Sequence, residues 1–260
     1  MKKNLLPALL LFSFMGSIAQ PSVLYKPEIF ISENDTLPYR ILFPENFDVD
    51  GKYPLILFLH GAGERGADNE KQLVHGSEFF VSDENRTNFP AVVVFPQCAE
   101  DSYWAGVGFG MNDKGKRTFS FDPSGEPTQP MRLTIGLLES LLREDWVDKQ
   151  RVYVGGLSMG GMGTFELLYR MPELFAAAFP ICGGGNPEMI NEKVSDVSVW
   201  AFHGEEDPVV PPELSVEMLS AYLKAGVRVK LTLYPGVGHN AWDYTFQEPD
   251  LLPWLFSNHK

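Results

Sequence analysis

Short apolar runs punctuate the chain, each closed by glycine, proline or a polar residue. Leu55 to Leu59 and Ala91 to Phe95 contain no polar residue at all. Runs of that length without alternation predict strands buried on both faces. Val152 to Val154, Ala176 to Phe179 and Val197 to Phe202 predict further strands, and Val227 to Leu233 alternates apolar with polar, as a strand with one wet face does. Between them the spacing turns helical. Leu133, Leu137, Leu138, Leu141 and Leu142 form one stripe that Trp146 extends. Met218, Leu219, Tyr222 and Leu223 form another, stopped by Gly226 as a C-cap. Tyr39 to Phe43, before Pro44, reads as an antiparallel opening strand. Strands alternating with helices predict an α/β fold, a mostly parallel sheet with helices on both faces. Residues 99–130 break the rhythm: they are rich in Gly, Asp and Pro and carry Tyr103, Trp104 and Phe109. A connection of that length inside a compact domain is usually functional, and this one is a candidate lid.

The first residues obey a different logic. Lys2 and Lys3 precede an apolar run from Leu5 to Met15, then Ser17-Ile18-Ala19. That order of charge, apolar core and small-residue cleavage site predicts a secretory signal peptide over 1–19. The run is short of the ~20 residues a membrane span needs. No Cys comes after the cleavage site to suggest a lipid anchor, and no later stretch is apolar enough to span. The expectation is an exported protein with one domain over 20–260. At 260 residues, 44 % hydrophobic and 21 % charged, the composition is that of a globular protein. A formal charge of -13 argues against nucleic acid or an anionic membrane as partner, because both need a basic face. Losing Lys2 and Lys3 would make it more acidic still. Two Cys cannot build a disulfide scaffold or a four-Cys zinc site. Cys98 and Cys182 come after strands expected about three strand spacings apart, ~14 Å, so free buried thiols are expected.

Parallel sheets place their chemistry at the carboxyl ends of the strands. After Val154 comes Gly155-Gly156-Leu157-Ser158-Met159-Gly160-Gly161, a G-x-S-x-G running into a helical segment. A sharp strand-to-helix turn would lift the Ser158 hydroxyl clear of the backbone and set it at a helix N-terminus, where N–H groups favour negative charge. The alternative is a glycine-rich helix start with a capping serine. After Phe202 comes His203-Gly204-Glu205-Glu206-Asp207-Pro208, and after Leu233 comes Tyr234-Pro235-Gly236-Val237-Gly238-His239. The resulting order, Ser, then Asp, then His, is that of a hydrolase triad. Glu205 and Glu206 compete with Asp207 as the acid. Asp207 is preferred because it lies farthest from the strand and precedes Pro208. After Leu59 comes His60-Gly-Ala-Gly-Glu-Arg-Gly66, which contains a dinucleotide-like G-x-G-x-x-G. That reading needs an acid at the end of the next strand, where Phe95-Pro96-Gln97-Cys98 has none. The other reading is a His-Gly loop giving a backbone N–H to an oxyanion hole, with Ala62 and Met159 as donors.

Together, His60-Gly-Ala-Gly-Glu-Arg-Gly66, Pro96-Gln-Cys98, Gly156-Leu-Ser-Met-Gly160, His203-Gly-x-x-Asp207 and Gly238-His239 resemble the α/β-hydrolase superfamily. More narrowly, they are similar to secreted bacterial esterases of the phospholipase/carboxylesterase and polyhydroxybutyrate-depolymerase-like group, with feruloyl and acetyl-xylan esterases also similar. The resemblance covers roughly residues 25–258. It implies a catalytic Ser158, His239 and Asp207, no cofactor, no metal, and a small-molecule or polysaccharide-linked ester substrate. Within this reading a serine hydroxyl needs His239 to take its proton and Asp207 to orient the imidazole.

Specificity is left open. Trp104 and Trp242, with Tyr103 and Phe109, either line the substrate pocket or cover the core edge. Glu64 and Arg65 either contact substrate or form an ion pair holding their loop. A feruloyl or acetyl esterase competes with a serine peptidase, for which 20–260 leaves no room for a selecting cap domain. A non-catalytic binding protein that kept the fold is the third possibility, and the intact Ser, His and Asp argue against it. Oligomeric state is not legible in the sequence.

Overall fold

In a computed structural model that describes residues 21–113, 115–121, 125–190 and 196–260, the apolar runs become neighbouring strands of one sheet. The expected signal peptide lies outside the described residues. The strands are β1 (Lys26–Ser32), β2 (Asp35–Leu42), β3 (Tyr53–Leu59), β4 (Val92–Pro96), β7 (Val147–Leu157), β8 (Ala177–Ile181), β9 (Ser198–Gly204) and β10 (Arg228–Tyr234). A separate hairpin is made by β5 (Val107–Met111) and β6 (Arg117–Phe121). The eight-stranded order is β1-β2-β4-β3-β7-β8-β9-β10. β1 pairs antiparallel with β2, and β2 with β4; all other neighbours are parallel.

The strands without alternation sit in the middle, where both faces are covered. Successive side chains point to opposite faces of a sheet. Leu55, Leu57 and Leu59 therefore join one core, and Ile56 and Phe58 the other. The first core also takes the apolar stripes of α1 (Gln129–Leu141), α2 (Met159–Arg170) and α3 (Pro212–Lys224). The second takes Leu251, Leu252 and Leu255 of α4 (Leu251–Ser257). β10, whose sequence alternates, lies at the edge. Gly226, past α3, adopts φ +87°, the left-handed conformation that ends a helix and that a side chain resists.

Two segments differ from expectation. The opening strand spans Asp35–Leu42 and is preceded by β1, with Pro27 and Pro38 inside the two strands. Proline masks a strand pattern because it cannot donate to the ladder. The stretch 99–130 is not a loop: it holds the β5–β6 hairpin and the start of α1. Gly108 and Gly110 hid it, since glycine is poor in strands. A Cβ at these positions would meet Ser120 Oγ at 2.6 Å and Thr118 Oγ1 at 2.9 Å, so the two strands use the missing side chains to close up.

The hairpin is fastened to the helix next to Ser158. Glu166, on α2, is buried, and its Oε2 accepts from the Gly106 N–H at 3.0 Å. Its Oε1 pairs with Arg170 Nε at 2.7 Å, and Arg170 Nη2 donates to Gly125 O at 3.1 Å. Val107, Phe119 and Phe121 pack on Met162 of α2 and Val210. Glu166→Ala releases the Gly106 foot of the hairpin and leaves Arg170, which holds the other foot, without its carboxylate. Breaking a buried pair of this kind costs about 3 kcal/mol. The expected outcome is a lower urea midpoint and faster tryptic cleavage at Lys116 and Arg117.

Candidate active site

Because β3, β7, β9 and β10 run parallel, the residues that leave their carboxyl ends meet along one edge. Ser158 joins β7 to α2 at φ +53°, ψ −115°, a backbone conformation costing about 1–3 kcal/mol for a residue with a side chain. Its N–H donates to Ile181 O at 2.8 Å, which holds the turn against the end of β8. The flanking glycines are required by contact. A Cβ on Gly160 would lie 1.9 Å from Leu59 O, and one on Gly156 would lie 2.5 Å from Gly160 O.

The structure brings three of the expected residues into one hydrogen-bonded run. Ser158 Oγ lies 2.9 Å from His239 Nε2, and His239 Nδ1 lies 2.7 Å from Asp207 Oδ2. Glu205 and Glu206 are exposed, whereas Asp207 is buried. Asp207 Oδ1 accepts from the Val209 and Val210 amides at 2.8 and 3.0 Å, and His203 Nε2 lies 3.3 Å from Oδ2. Burial alone would raise the Asp207 carboxyl. The contacts from His203 and His239 and the Val210 amide outweigh it and hold the group well below the usual carboxylate range. An ionised Asp207 makes Nδ1 the proton-bearing nitrogen of His239, leaving the Nε2 lone pair for the Ser158 hydroxyl.

Ala62 opens a 3₁₀ turn, Ala62–Glu64, and Met159 opens α2. Amides at such starts precede the first intrahelical bond, here Glu64 N–H to Gly61 O and Met162 N–H to Ser158 O. The loop carrying Ala62 is braced from several sides. His60, fully buried, accepts the Cys98 N–H at Nε2 (2.9 Å) and donates from Nδ1 to Gly61 O (2.6 Å). Gln97 Nε2 donates to Glu64 O at 3.2 Å and Asp68 Oδ1 at 2.9 Å, and its Oε1 accepts from the Asn69 N–H at 2.7 Å.

Trp104 is not a pocket residue. It is 0 % exposed, donates from Nε1 to His60 O at 3.0 Å and packs on the His60 ring at 5.2 Å. An indole whose N–H finds a backbone carbonyl can be buried whole, and here it supports the His-Gly loop from beneath. Glu64 and Arg65 do not pair with each other. Arg65 donates to Ala62 O at 2.9 Å and Ser102 O at 3.2 Å and lies over the Tyr103 ring at 4.7 Å, while Glu64 faces His75 at 3.8 Å. Trp242 is part-exposed, its ring edge-on to His239 at 5.4 Å and 5.2 Å from His75. Phe109 is exposed on the hairpin.

Residues the sequence did not single out as functional include His203, Ser215 and His75. His203 stood inside the quoted His-Gly-x-x-Asp motif, so its position was legible but its partners were not. Both Cys are buried, unpaired thiols. Burial pushes the Cys98 thiol up to about 12 and raises Cys182 further, the latter helped by the charge of Asp207. Among the described residues, Cys182, His203 and Asp207 present ligand-type atoms within 4.8 Å of one another. Those atoms are engaged within the protein: Cys182 Sγ donates to His239 O at 3.2 Å, and His203 meets Ser215 and Val210.

Residues 49–249 match the family model for phospholipases and carboxylesterases. The chain belongs to that family. It is an esterase/thioesterase-type α/β hydrolase, and its mostly parallel sheet with flanking helices is the α/β-hydrolase fold. A crystal structure of a thermostable esterase is similar at TM-score 0.80 and 34 % identity, over 92 % of this chain and 64 % of that one. The chain therefore spans somewhat less than two thirds of that neighbour. Acyl-protein thioesterase 1 of Debaryomyces hansenii is 25 % identical over 199 residues, which are 72 % of this chain and 84 % of the relative. A bifunctional acetylxylan esterase/xylanase of Neocallimastix patriciarum is 30 % identical over 88 residues, 34 % of this chain and 12 % of the relative.

His60 makes one part of this site sensitive to acid. Burial pushes its imidazole down from 6.5 to about 4, against the hydrogen bond to Gly61, which favours the charged form. The unfolded chain then binds more protons than the folded one between these values. His60 therefore contributes stability that is fully present above about pH 6.5 and falls as pH drops towards 4, by about 3 kcal/mol in all. His60→Gln keeps an acceptor and a donor but does not titrate. The difference in urea midpoint between the two proteins should vary with pH across this window and be flat above it.

Proposed function

We propose that the protein is a serine esterase that hydrolyses carboxylic esters through an acyl-enzyme. The observation that carries this reading is the run from Ser158 Oγ to His239 at 2.9 Å and from His239 to Asp207 at 2.7 Å. Attack of Oγ on the ester carbonyl moves the hydroxyl proton to His239 Nε2, which then gives it to the departing alcohol. Asp207 keeps the imidazole in register and stabilises its charged form. The Ala62 and Met159 amides receive the oxyanion, each worth roughly 10²–10³ in rate. Water then enters by the same proton path in reverse and releases the acid.

The substrate we assign is an acetyl or feruloyl ester on plant polysaccharide, met outside the cell after removal of residues 1–19. Support comes from the partial likeness to an acetylxylan esterase/xylanase and from the Trp242 ring beside His239, an apolar face against which an aromatic acyl group can lie. A thioester is the second reading, favoured by the longer match to acyl-protein thioesterases.

Ser158→Ala should lower turnover of p-nitrophenyl acetate by at least about 10⁴ while the protein still melts cooperatively, and should abolish labelling by a fluorophosphonate. Turnover near that of the parent would end the assignment of Ser158. Acetylated and feruloylated xylan fragments, set against acyl thioesters and a peptide library, decide the substrate by comparison of kcat/KM. Trp242→Ala should raise KM for methyl ferulate by about tenfold relative to its effect on p-nitrophenyl acetate, the size expected of one lost aromatic contact.

A further inference from the structure

The wall between the Ala62 turn and His239 carries chemistry that the hydrolytic steps leave unused. Glu64 ends the 3₁₀ turn that begins at Ala62. Its carboxylate folds back on Gly61, where a Cβ would come within 3.0 Å of Oε2. Oε1 faces His75 Nε2 at 3.8 Å, too far for a hydrogen bond. The His75 ring stands 5.2 Å from the Trp242 ring, and Trp242 stands 5.4 Å from His239. Ala62, Glu64, His75, Trp242 and His239 thus follow one another along one side of the site. The backbone beside His75 is fixed by contact: Gly76 adopts φ +85°, and a Cβ there would lie 2.8 Å from Phe246 Cζ. Against these rings runs an open groove of 510 Å³, lined by His75, Phe79, Trp242 and Phe246, with Glu78 and Asp243 exposed at its rim.

Glu64 and His75 are mostly covered by protein, their side chains 13 % and 32 % exposed, yet they do not satisfy each other. A carboxylate only accepts, so the ring nitrogen turned towards it is the one that carries hydrogen, in a neutral ring as in a charged one. A group that meets both must accept from His75 and donate to Glu64. A hydroxyl does this with one oxygen, at ~2.9 Å from the nitrogen and ~2.7 Å from the carboxylate, distances that a gap of 3.8 Å allows. A carboxylate or phosphate has no hydrogen for Glu64, and an ammonium has no lone pair for His75. The carboxylates of Glu64, Glu78 and Asp243 also turn an anion away.

We propose that Glu64 and His75 are a specificity-determining pair, which binds the hydroxyl of an aromatic acyl group whose ring lies on Trp242. The inference rests on the acyl-enzyme reading of Ser158. Glu64 shares the turn of Ala62, so the pair stands on the side of the acyl carbonyl, whereas the alcohol departs past His239 Nε2. Phe79 and Phe246 give the groove an apolar floor for substituents beside the hydroxyl. An acyl ring without a hydroxyl covers the two polar groups and answers neither, and a site of that kind discriminates against the analogue that lacks the group.

The test compares kcat/KM for methyl 4-hydroxycinnamate and methyl cinnamate, which differ by one hydroxyl. The parent should favour the hydroxylated ester by about tenfold. His75→Phe keeps a ring against Trp242, and Glu64→Met keeps the length of the side chain, but each removes one partner of the hydroxyl. In both variants the ratio of the two esters should fall to about one. A merely structural role would slow both esters alike, so a variant that keeps the parental ratio overturns the proposal. A parent ratio of one also overturns it, and that measurement needs no variant to fold. Acetylated xylose set against cyclohexyl acetate is the second arm. A loss in His75→Phe confined to the sugar ester places the hydroxyl on the alcohol and overturns the acyl assignment. Parental turnover of p-nitrophenyl acetate by Ser158→Ala would remove the acyl-enzyme reading itself. With Ser158→Ala inactive and a parent ratio of one, only the pairing of Glu64 and His75 with a hydroxyl fails.

Discussion

The first turn of α2 lies against the end of β3 more closely than any side chain permits. Gly160 has no Cβ, and the space a Cβ would take is already held by the Leu59 carbonyl. Most of the site depends on that contact. It fixes where β7 must stop and turn, and so where Ser158 is lifted out of the sheet. It also fixes the loop after Leu59, which carries Ala62, relative to the amide of Met159 at the start of α2. The two amides proposed to receive an oxyanion therefore belong to segments pressed together by a glycine. The braces behind the loop, His60, Trp104 and Gln97, hold the other side of the same contact.

The central strands were legible because burial on both faces writes itself as uninterrupted apolar residues, as in Leu55 to Leu59. The candidate site residues were legible because a parallel sheet sends them all to one edge, so Ser158, Asp207 and His239 each stand just past the apolar run that delivers them. Other features were obscured by local chemistry. Prolines broke the pattern of β1 and β2. Glycines at 108 and 110 made a hairpin resemble a loop. Trp104 looked like a pocket residue because an aromatic in a polar segment carries no mark of its depth. Its complete burial and its hydrogen bond to His60 O show that this part of the segment runs beneath the surface. Glu64 and Arg65 could have paired or met substrate; in the fold Arg65 turns to the Ala62 and Ser102 carbonyls and Glu64 to His75.

The acid of the site illustrates how a charge can be kept in a dry place. Asp207 is buried, and desolvation alone would favour its neutral form. Two amides cover one oxygen and two imidazoles meet the other, so the ionised form is favoured by what surrounds it rather than by water. The exposed Glu205 and Glu206 lack such surroundings. Their side chains sit among water, where a carboxylate has no fixed direction to offer an imidazole. Adjacent carboxylates on one loop thus differ in use because only one of them is turned inward.

The attachment of the hairpin frees its length from the rest of the fold. Gly106 is tied to Glu166 and Gly125 to Arg170, two paired residues one turn apart on a single helix. The segment between these points begins and ends at one fixed address, so its length is decoupled from the register of the sheet. Doubling such a segment adds only about 0.6 kcal/mol of closure entropy. A segment tied in this way can change length while the strands and the Ser158 turn keep their places. The hairpin is thus mechanically separable from the sheet, and two side chains of α2 mark the boundary.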